Sequence, residues 1–335
     1  MIIRKSSEEI EAMARAGAVV AETLDLLREQ IQPGVTTLEL DAVAEEFIRS
    51  RGGIPTFKGY RGFPGSICTS PNTMVVHGIP GPYRLEEGDV ISVDVGVTLD
   101  GFVGDSAFTF PVGEIHADTQ RLLDVGQAAL ASGIEEARPG NHIGHISAAV
   151  QRVTEAAGFS VVRSLVGHGV GRSMHEEPQI PNVGEPGRGP KLATGMTLVI
   201  EPMINAGEAG VWVADDHWSI YTDDKSLSAH FEHTVAVTDD GPRILTQPRV
   251  PAAGSLLRYS GFAAPPGFTL VAGNPYESQS FRQTDVRPLP RDQAARKSPG
   301  HLHEPAPQAA ARIRREIWHE SQASTFHARS GSRSA

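Results

Sequence analysis

Apolar residues recur at a helical spacing from the start of the chain. Ile10, Met13, Ala14, Gly17, Val20 and Leu24 fall on one 3.6-residue stripe. Ser6-Ser7-Glu8-Glu9 before it has the form of a capping box, and Pro33-Gly34 stops it. Thr36-Thr37-Leu38-Glu39 opens a second helix that turns Leu40, Val43, Ala44 and Phe47 inward and ends at Gly52-Gly53. The pattern then returns. A helix from about Asp118 carries Leu122, Val125, Ala129 and Leu130 and stops at Pro139-Gly140; another carries Ile146, Ala149, Val150 and Val153 and ends at Gly158.

After each helix pair, and an irregular stretch, a Leu-x-x-Gly step leads into an apolar strand. One runs from Leu85 through Gly88 to Asp94, the other from Leu192 through Gly195 to Glu201. Gly34 and Gly140 stand 106 residues apart, and Asp94 and Glu201 stand 107 apart. The chain therefore reads as two related halves, each helix–helix–sheet, with both strands ending on a carboxylate. Packed about a pseudo-twofold axis, those acids would face each other.

Asp100-Gly101 is a strong hairpin signal. A turn centred there puts Asp105 opposite Gly96, on the same face as Asp94, so the two carboxylates become diagonal neighbours able to share a cation. A slip of one residue would part them. Two acids so close repel without a cation, and at least one would keep its proton. In the second half, Gly167-His168-Gly169 sets a histidine between residues that let the backbone pack closely, and Glu232 opens the strand Glu232–Val237. Taken singly, His168 reads more readily as a loop histidine and Glu232 as a strand-edge acid. Two Asp, two Glu and one His together suit paired Mn, Fe, Co or Zn ions, and carboxylates bridging ions ~3.5–4 Å apart suit metal-assisted hydrolysis.

Composition changes the picture beyond residue 249. There Leu, Ile, Val and Phe supply 14 of 86 residues and nine prolines intervene, below the roughly 20% apolar level at which chains fold. Residues 250–335 are expected to be a disordered tail, with a short helix over 309–320 as the alternative, and residues 1–249 to be the folded domain. Charge divides at the same place. Eleven of the 30 Lys and Arg but six of the 40 Asp and Glu lie beyond residue 249. An acidic body argues against nucleic-acid binding. The start of the chain lacks a secretory apolar region, and no apolar run approaches the ~18–20 residues of a membrane span. The single cysteine, Cys68, excludes an internal disulfide. These features fit a cytoplasmic protein with no membrane partner.

Several ordered blocks carry a resemblance: Gly59–Cys68, Val75–Pro80, Asp94–Asp105, Gly167–Arg172, His175–Pro178, Ile200–Pro202 and Phe231–Thr234. Residues 2–249 resemble a bacterial type I methionine aminopeptidase, whose fold is the α+β "pita bread" of two pseudo-symmetric helix–helix–antiparallel-sheet halves around a dinuclear metal site. The resemblance implies that Asp94, Asp105, His168, Glu201 and Glu232 hold two divalent ions (Co, Mn, Fe or Zn), with Asp105 and Glu232 bridging. It implies that His77 contacts the substrate's N-terminal end and His175 the scissile carbonyl. Glu201 would act as general base and ligand. Tyr60, Phe63, Cys68, His77 and Trp218 would line a methionine pocket, with Phe57 and Met174 nearby. At the last two positions many relatives carry other side chains, which would reshape the pocket without touching the metal ligands.

The resemblance further implies removal of the first Met from peptides and nascent chains when a small residue follows, by a monomer working near the ribosome. Three other readings compete. Prolidases and X-prolyl aminopeptidases share the fold and the five ligands but usually carry a large N-terminal domain, for which about 90 residues before Asp94 leave no room. A relative that has become a binding module would typically have lost ligands. A type II methionine aminopeptidase would need an insertion in the second half.

Overall fold

Capping residues set the helix starts in the computed structural model, which describes residues 1–247. Helix α1 spans Ser7–Gln30 and α2 spans Thr37–Ser50. In each, the N-cap hydroxyl accepts from the N–H of a glutamate three residues on, Glu9 or Glu39, whose carboxylate accepts from the cap N–H. Leu40, Ala44 and Ile48 form the buried stripe of α2, whereas Phe47 is only half-buried beneath the Arg51 guanidinium, 4.9 Å from its ring. The expected inward Phe47 thus gives way to Ile48, which lies one turn on from Ala44. Helices α3 (Ala117–Glu135) and α4 (Ile143–Ala156) repeat the pair. The boundary at residue 249 and everything expected of residues 250–335, the 309–320 helix included, lie outside the described residues.

The first half contributes β1 (Ile54–Pro55), β2 (Cys68–Pro71), β3 (Met74–Val76), β4 (Val90–Leu99) and β5 (Phe102–Pro111). The second contributes β6 (Ser160–Val161), β7 (Val166–Gly169), β8 (Glu176–Pro181), β9 (Thr197–Ile200), β10 (Met203–Asn205), β11 (Val211–Val213), β12 (Ile220–Thr222), β13 (Ser228–His230), β14 (His233–Thr238) and β15 (Gly241–Ile244). All pairings are antiparallel. In one sheet, β4 pairs along one edge with β5 and along the other with β1 and β2. The other large sheet runs β15-β14-β9-β7-β8.

The hairpin has the register expected from its turn: Gly96 faces Asp105 and Asp94 faces Ala107, with positive φ at Asp100 and Gly101. Strand β4 does not end at Asp94, however. The ladder pairs all ten of its residues, which carries it on to Leu99. Ile91, Val93, Val95 and Val97 pack with Leu24, Leu27, Leu40 and Ile48 in the first-half core. Alternation therefore turns Ser92, Asp94 and Gly96 to the opposite face. Leu122, Leu130 and Ile146 pack with Leu198, Ile200, Val235 and Val237 in the second.

The halves meet where β5 runs beside residues 230–234, and hydroxyls stitch much of that seam. Thr109 Oγ1 accepts from the His230 N–H and donates to its carbonyl, both at 2.8 Å. Thr234 Oγ1 does the same for Asp105 at 3.1 and 2.8 Å. Among the described residues no helix is long and apolar enough to cross a membrane.

Candidate metal centre

Four carboxylates from the two halves converge at this seam. Asp105 and Glu232 are each only 2% exposed; Asp94 and Glu201, on the flanking segments, are half-buried. Asp105 lies within hydrogen-bonding reach of both Asp94 and Glu232. His168 completes the group, its Nε2 3.7 Å from Asp105 and 3.6 Å from Glu201. The glycines flanking it are required by space: a Cβ on Gly167 would lie 2.3 Å from the Val199 carbonyl oxygen, and one on Gly169 2.2 Å from that of Glu177. His168 Nδ1 lies 2.9 Å from the Gly169 carbonyl oxygen. A carbonyl only accepts, so Nδ1 carries the proton and the Nε2 lone pair faces the acids, the tautomer a metal-binding imidazole requires.

The five residues singled out in the sequence thus stand together. A sixth, His230, was not singled out. Its Nε2 is 3.4 Å from Glu232 and 3.8 Å from Glu201. The signal was present, since His230 precedes Glu232 by two residues, but β13 ends at His230 before β14 begins at His233. Asp94 Oδ1, Asp105 Oδ1, Glu232 Oε1 and His230 Nε2 are buried without a hydrogen-bond partner. Buried polar atoms are rarely left so. Hard oxygen donors with imidazole nitrogen fit divalent transition metals, so this donor set suits cation binding.

Electrostatics points the same way. Burial, then the neighbouring acids, pushes Asp94, Glu201 and Glu232 well above the carboxylate range, and burial raises Asp105 to about 7. Burial depresses His168 to about 4 and His230 to about 3. Without cations, each raised carboxylate stabilises the fold fully below its unfolded value near 4, and that contribution disappears as pH rises through the folded value. The depressed histidines act oppositely between their folded values and about 6.5. Above about 6.5 only the carboxylates remain. The metal-free protein is therefore expected to melt progressively lower from about pH 6.5 to 8, and divalent cations should flatten that slope. Thermal melts with and without cation check this; a flat metal-free profile would contradict it.

An apolar and aromatic cluster adjoins the acids through Cys68. Phe57, Phe63, Cys68 and Met174 are buried in one cluster against which Tyr60 and Trp218 pack. Cys68 sits opposite Asp94 in the β2–β4 ladder. Burial and the nearby acids push its thiol well up, so it serves as an uncharged wall. Phe57 lies over Gly96, where a Cβ would come 2.7 Å from its ring. Phe63 meets Trp218 edge-on at 5.1 Å, and His77 lies 6.4 Å from the same indole. His77 follows β3 in a left-handed conformation (φ 59°), and burial lowers it to about 4. His175 exposes one edge while its ring packs 4.2 Å from that of His168. Crowding on its inner side drives it well below the usual histidine value, and Tyr60 Oη lies 2.9 Å from its Nδ1.

Known proteins share this architecture. Residues 11–239 match the sequence model of metallopeptidase family M24. A methionine aminopeptidase of Clostridium perfringens is 51% identical over 246 residues, 73% of this chain and 99% of its own length. Methionine aminopeptidase 1 of Bacillus subtilis is 51% identical over 247 residues, 74% of this chain and all of its own. The crystal structure of a methionine aminopeptidase from Rickettsia prowazekii superposes with a TM-score of 0.73 at 44% identity, covering 73% of this chain and 100% of that one. A prolidase from Pyrococcus furiosus shares the fold alone, at 22% identity and a TM-score of 0.58, covering 73% of this chain and 65% of its own.

Proposed function

The chain belongs to metallopeptidase family M24, within its methionine aminopeptidase branch, and on that premise we propose how its site works. The enzyme removes Met from the N-terminus of peptides and nascent chains whose next residue is small, in the cytoplasm, as a monomer holding two divalent ions. The observation that carries this reading is the apposition of two things. One is a buried set of four carboxylates and an imidazole that repel or stay orphaned without cations. The other is an apolar and aromatic cluster in which Cys68 is paired in the sheet with one of those carboxylates.

Asp94, Asp105, His168, Glu201 and Glu232 hold the ions. When bound, the ions supply Lewis-acid polarisation of the peptide carbonyl and lower the pKa of the attacking water. Glu201, half-buried like Asp94, accepts the water's proton and returns it to the leaving amine. His175, whose Nδ1 lies 2.9 Å from Tyr60 Oη, donates to the oxyanion in this reading. His77 meets the substrate's N-terminal end. Phe57, Tyr60, Phe63, Cys68, Met174 and Trp218 enclose the Met side chain, whose flexible thioether suits an aromatic wall.

Peptide turnover separates this reading from the prolidase-like one. Met-Ala-Ser, Met-Gly and Met-Ser peptides should release free methionine. Lys-initiated peptides should not react, because burying their ammonium among aromatic and apolar side chains costs its desolvation, and neither should Ala-Pro. Comparable rates on X-Pro dipeptides would move the chain to the prolidase branch.

A further inference from the structure

Among the described residues, His230 is an imidazole within 4 Å of the acids that the five-ligand reading does not use, and its position is not that of a packing residue. It is 2% exposed, and its Nε2 has no hydrogen-bond partner. Asp94, His230 and Glu232 each present a ligand atom, all within 4.8 Å of one another. The backbone that carries it is clamped on both sides by Thr109 Oγ1, which Ser92 Oγ meets in turn at 2.8 Å. The side chain is therefore delivered to this point by the seam between the halves.

Neither state of a neutral imidazole is satisfied there. An Nε2–H would find Glu232 at 3.4 Å and Glu201 at 3.8 Å without making a hydrogen bond to either. Once the acids ionise, a lone pair on Nε2 would point at carboxylate oxygens, which repel it. A cation between them satisfies all three groups. His168 stands with Asp105 and Glu201, whereas His230 stands with Asp94 and Glu232. The two imidazoles thus stand with different pairs of acids, and both lie beside Glu201.

We propose that His230 is a sixth protein ligand, holding through Nε2 the ion that Asp94 and Glu232 share, so that each of the two ions has one imidazole. The inference rests on the two-ion reading above. Without His230 that second ion would have carboxylates alone from the protein, a set that suits hard cations such as Mn. An imidazole shifts preference towards Co and Zn. This chain should therefore fill its second position with Co far more readily than an oxygen-only position would.

Two measurements on the full-length protein test it. Proton NMR of the wild type loaded with two equivalents of Co(II) should show hyperfine-shifted imidazole resonances from two histidines. Calorimetric Co(II) titration of His230→Gln should show the first equivalent unchanged and the second weakened by about tenfold or more, since even indirect partners of a metal ligand are worth ~10–100-fold. The variant should also lose one imidazole set and bind Mn(II) at that position as well as the wild type does. One imidazole set in the two-cobalt wild type overturns the proposal, whether or not the variant folds. An unchanged second affinity in a variant of normal metal-free melting temperature overturns it too. Both results leave the two-ion reading standing. A wild type that binds fewer than two ions would remove that reading and this inference together.

Discussion

Replacing Asp105 with asparagine should lower methionine release by about a thousandfold, some 4 kcal/mol of transition-state stabilisation, while making the metal-free protein more stable. The two halves of that expectation have different causes. Asp105 stands between Asp94 and Glu232 and faces His168, so a neutral amide there removes a shared anionic ligand, and bound metal should fall. Loss of an outer partner of a metal ligand already costs ~10–100-fold; loss of a residue proposed to bridge two ions should cost more. Asparagine has the same shape and leaves the backbone bonds of residue 105 to Thr234 intact. It also removes one member of a crowded set of buried acids, so near pH 8 without metal the variant should melt higher than the wild type. Metal analysis, turnover and melting of the one variant check all three. Lower metal-free stability would mean that Asp105 serves the fold; full turnover at normal metal content would remove it from the ligand set.

The second large effect is on the fold beneath the site. Gly104, beside Asp105, lies against α1: a Cβ there would fall 2.6 Å from the Gly17 nitrogen, 2.8 Å from its Cα and 2.9 Å from the Ala16 carbonyl carbon. These are backbone atoms of a helix, which cannot swing aside as a side chain can. Gly104→Ala must move α1 or β5, at a cost of about 3 kcal/mol. For a domain of this size that lowers the melting temperature by roughly 6–12 °C. Gly81→Ala is the control. Its Cβ would meet only the Ile79 carbonyl oxygen, at 3.8 Å, and its φ is not left-handed. It should melt within about 2 °C of the wild type. Equal melting of the two variants would show that the close approach of α1 to β5 carries no energetic weight.

Local signals in the sequence located most of this architecture. Ser6/Glu9 and Thr36/Glu39 mark helix starts because a capping box is complete within four residues. Asp100-Gly101 fixes the β4–β5 register because the turn residues themselves set it, and the register places Asp94 and Asp105 on one face. The near-equal spacing of the halves anticipates the confrontation of Asp94 with Glu201. Phe47 was misplaced because periodicity alone does not decide between adjacent apolar residues at a stripe's edge; packing against β4 selects Ile48. His230 escaped notice for a different reason. Its position depends on Thr109, 121 residues away, through a seam made of hydroxyl hydrogen bonds that leaves no hydrophobic period. Apart from Cys68 in β2 and Tyr60 in a short 3-10 turn, the residues around the methionine side chain come from segments without regular structure, where pattern says little about which side chains meet.

In the proposed reaction the converging acids and His168 form a metal centre that hydrolyses the peptide bond after a methionine N-terminus. The most direct measurement is free methionine released from Met-Ala-Ser by metal-stripped protein titrated with Co(II) or Mn(II), with bound metal quantified at each step. No release is expected without metal, and activity should appear and saturate as the centre fills, with at most two ions bound per chain. Undiminished release by the metal-free protein, or none from protein carrying two bound ions, would contradict that reaction.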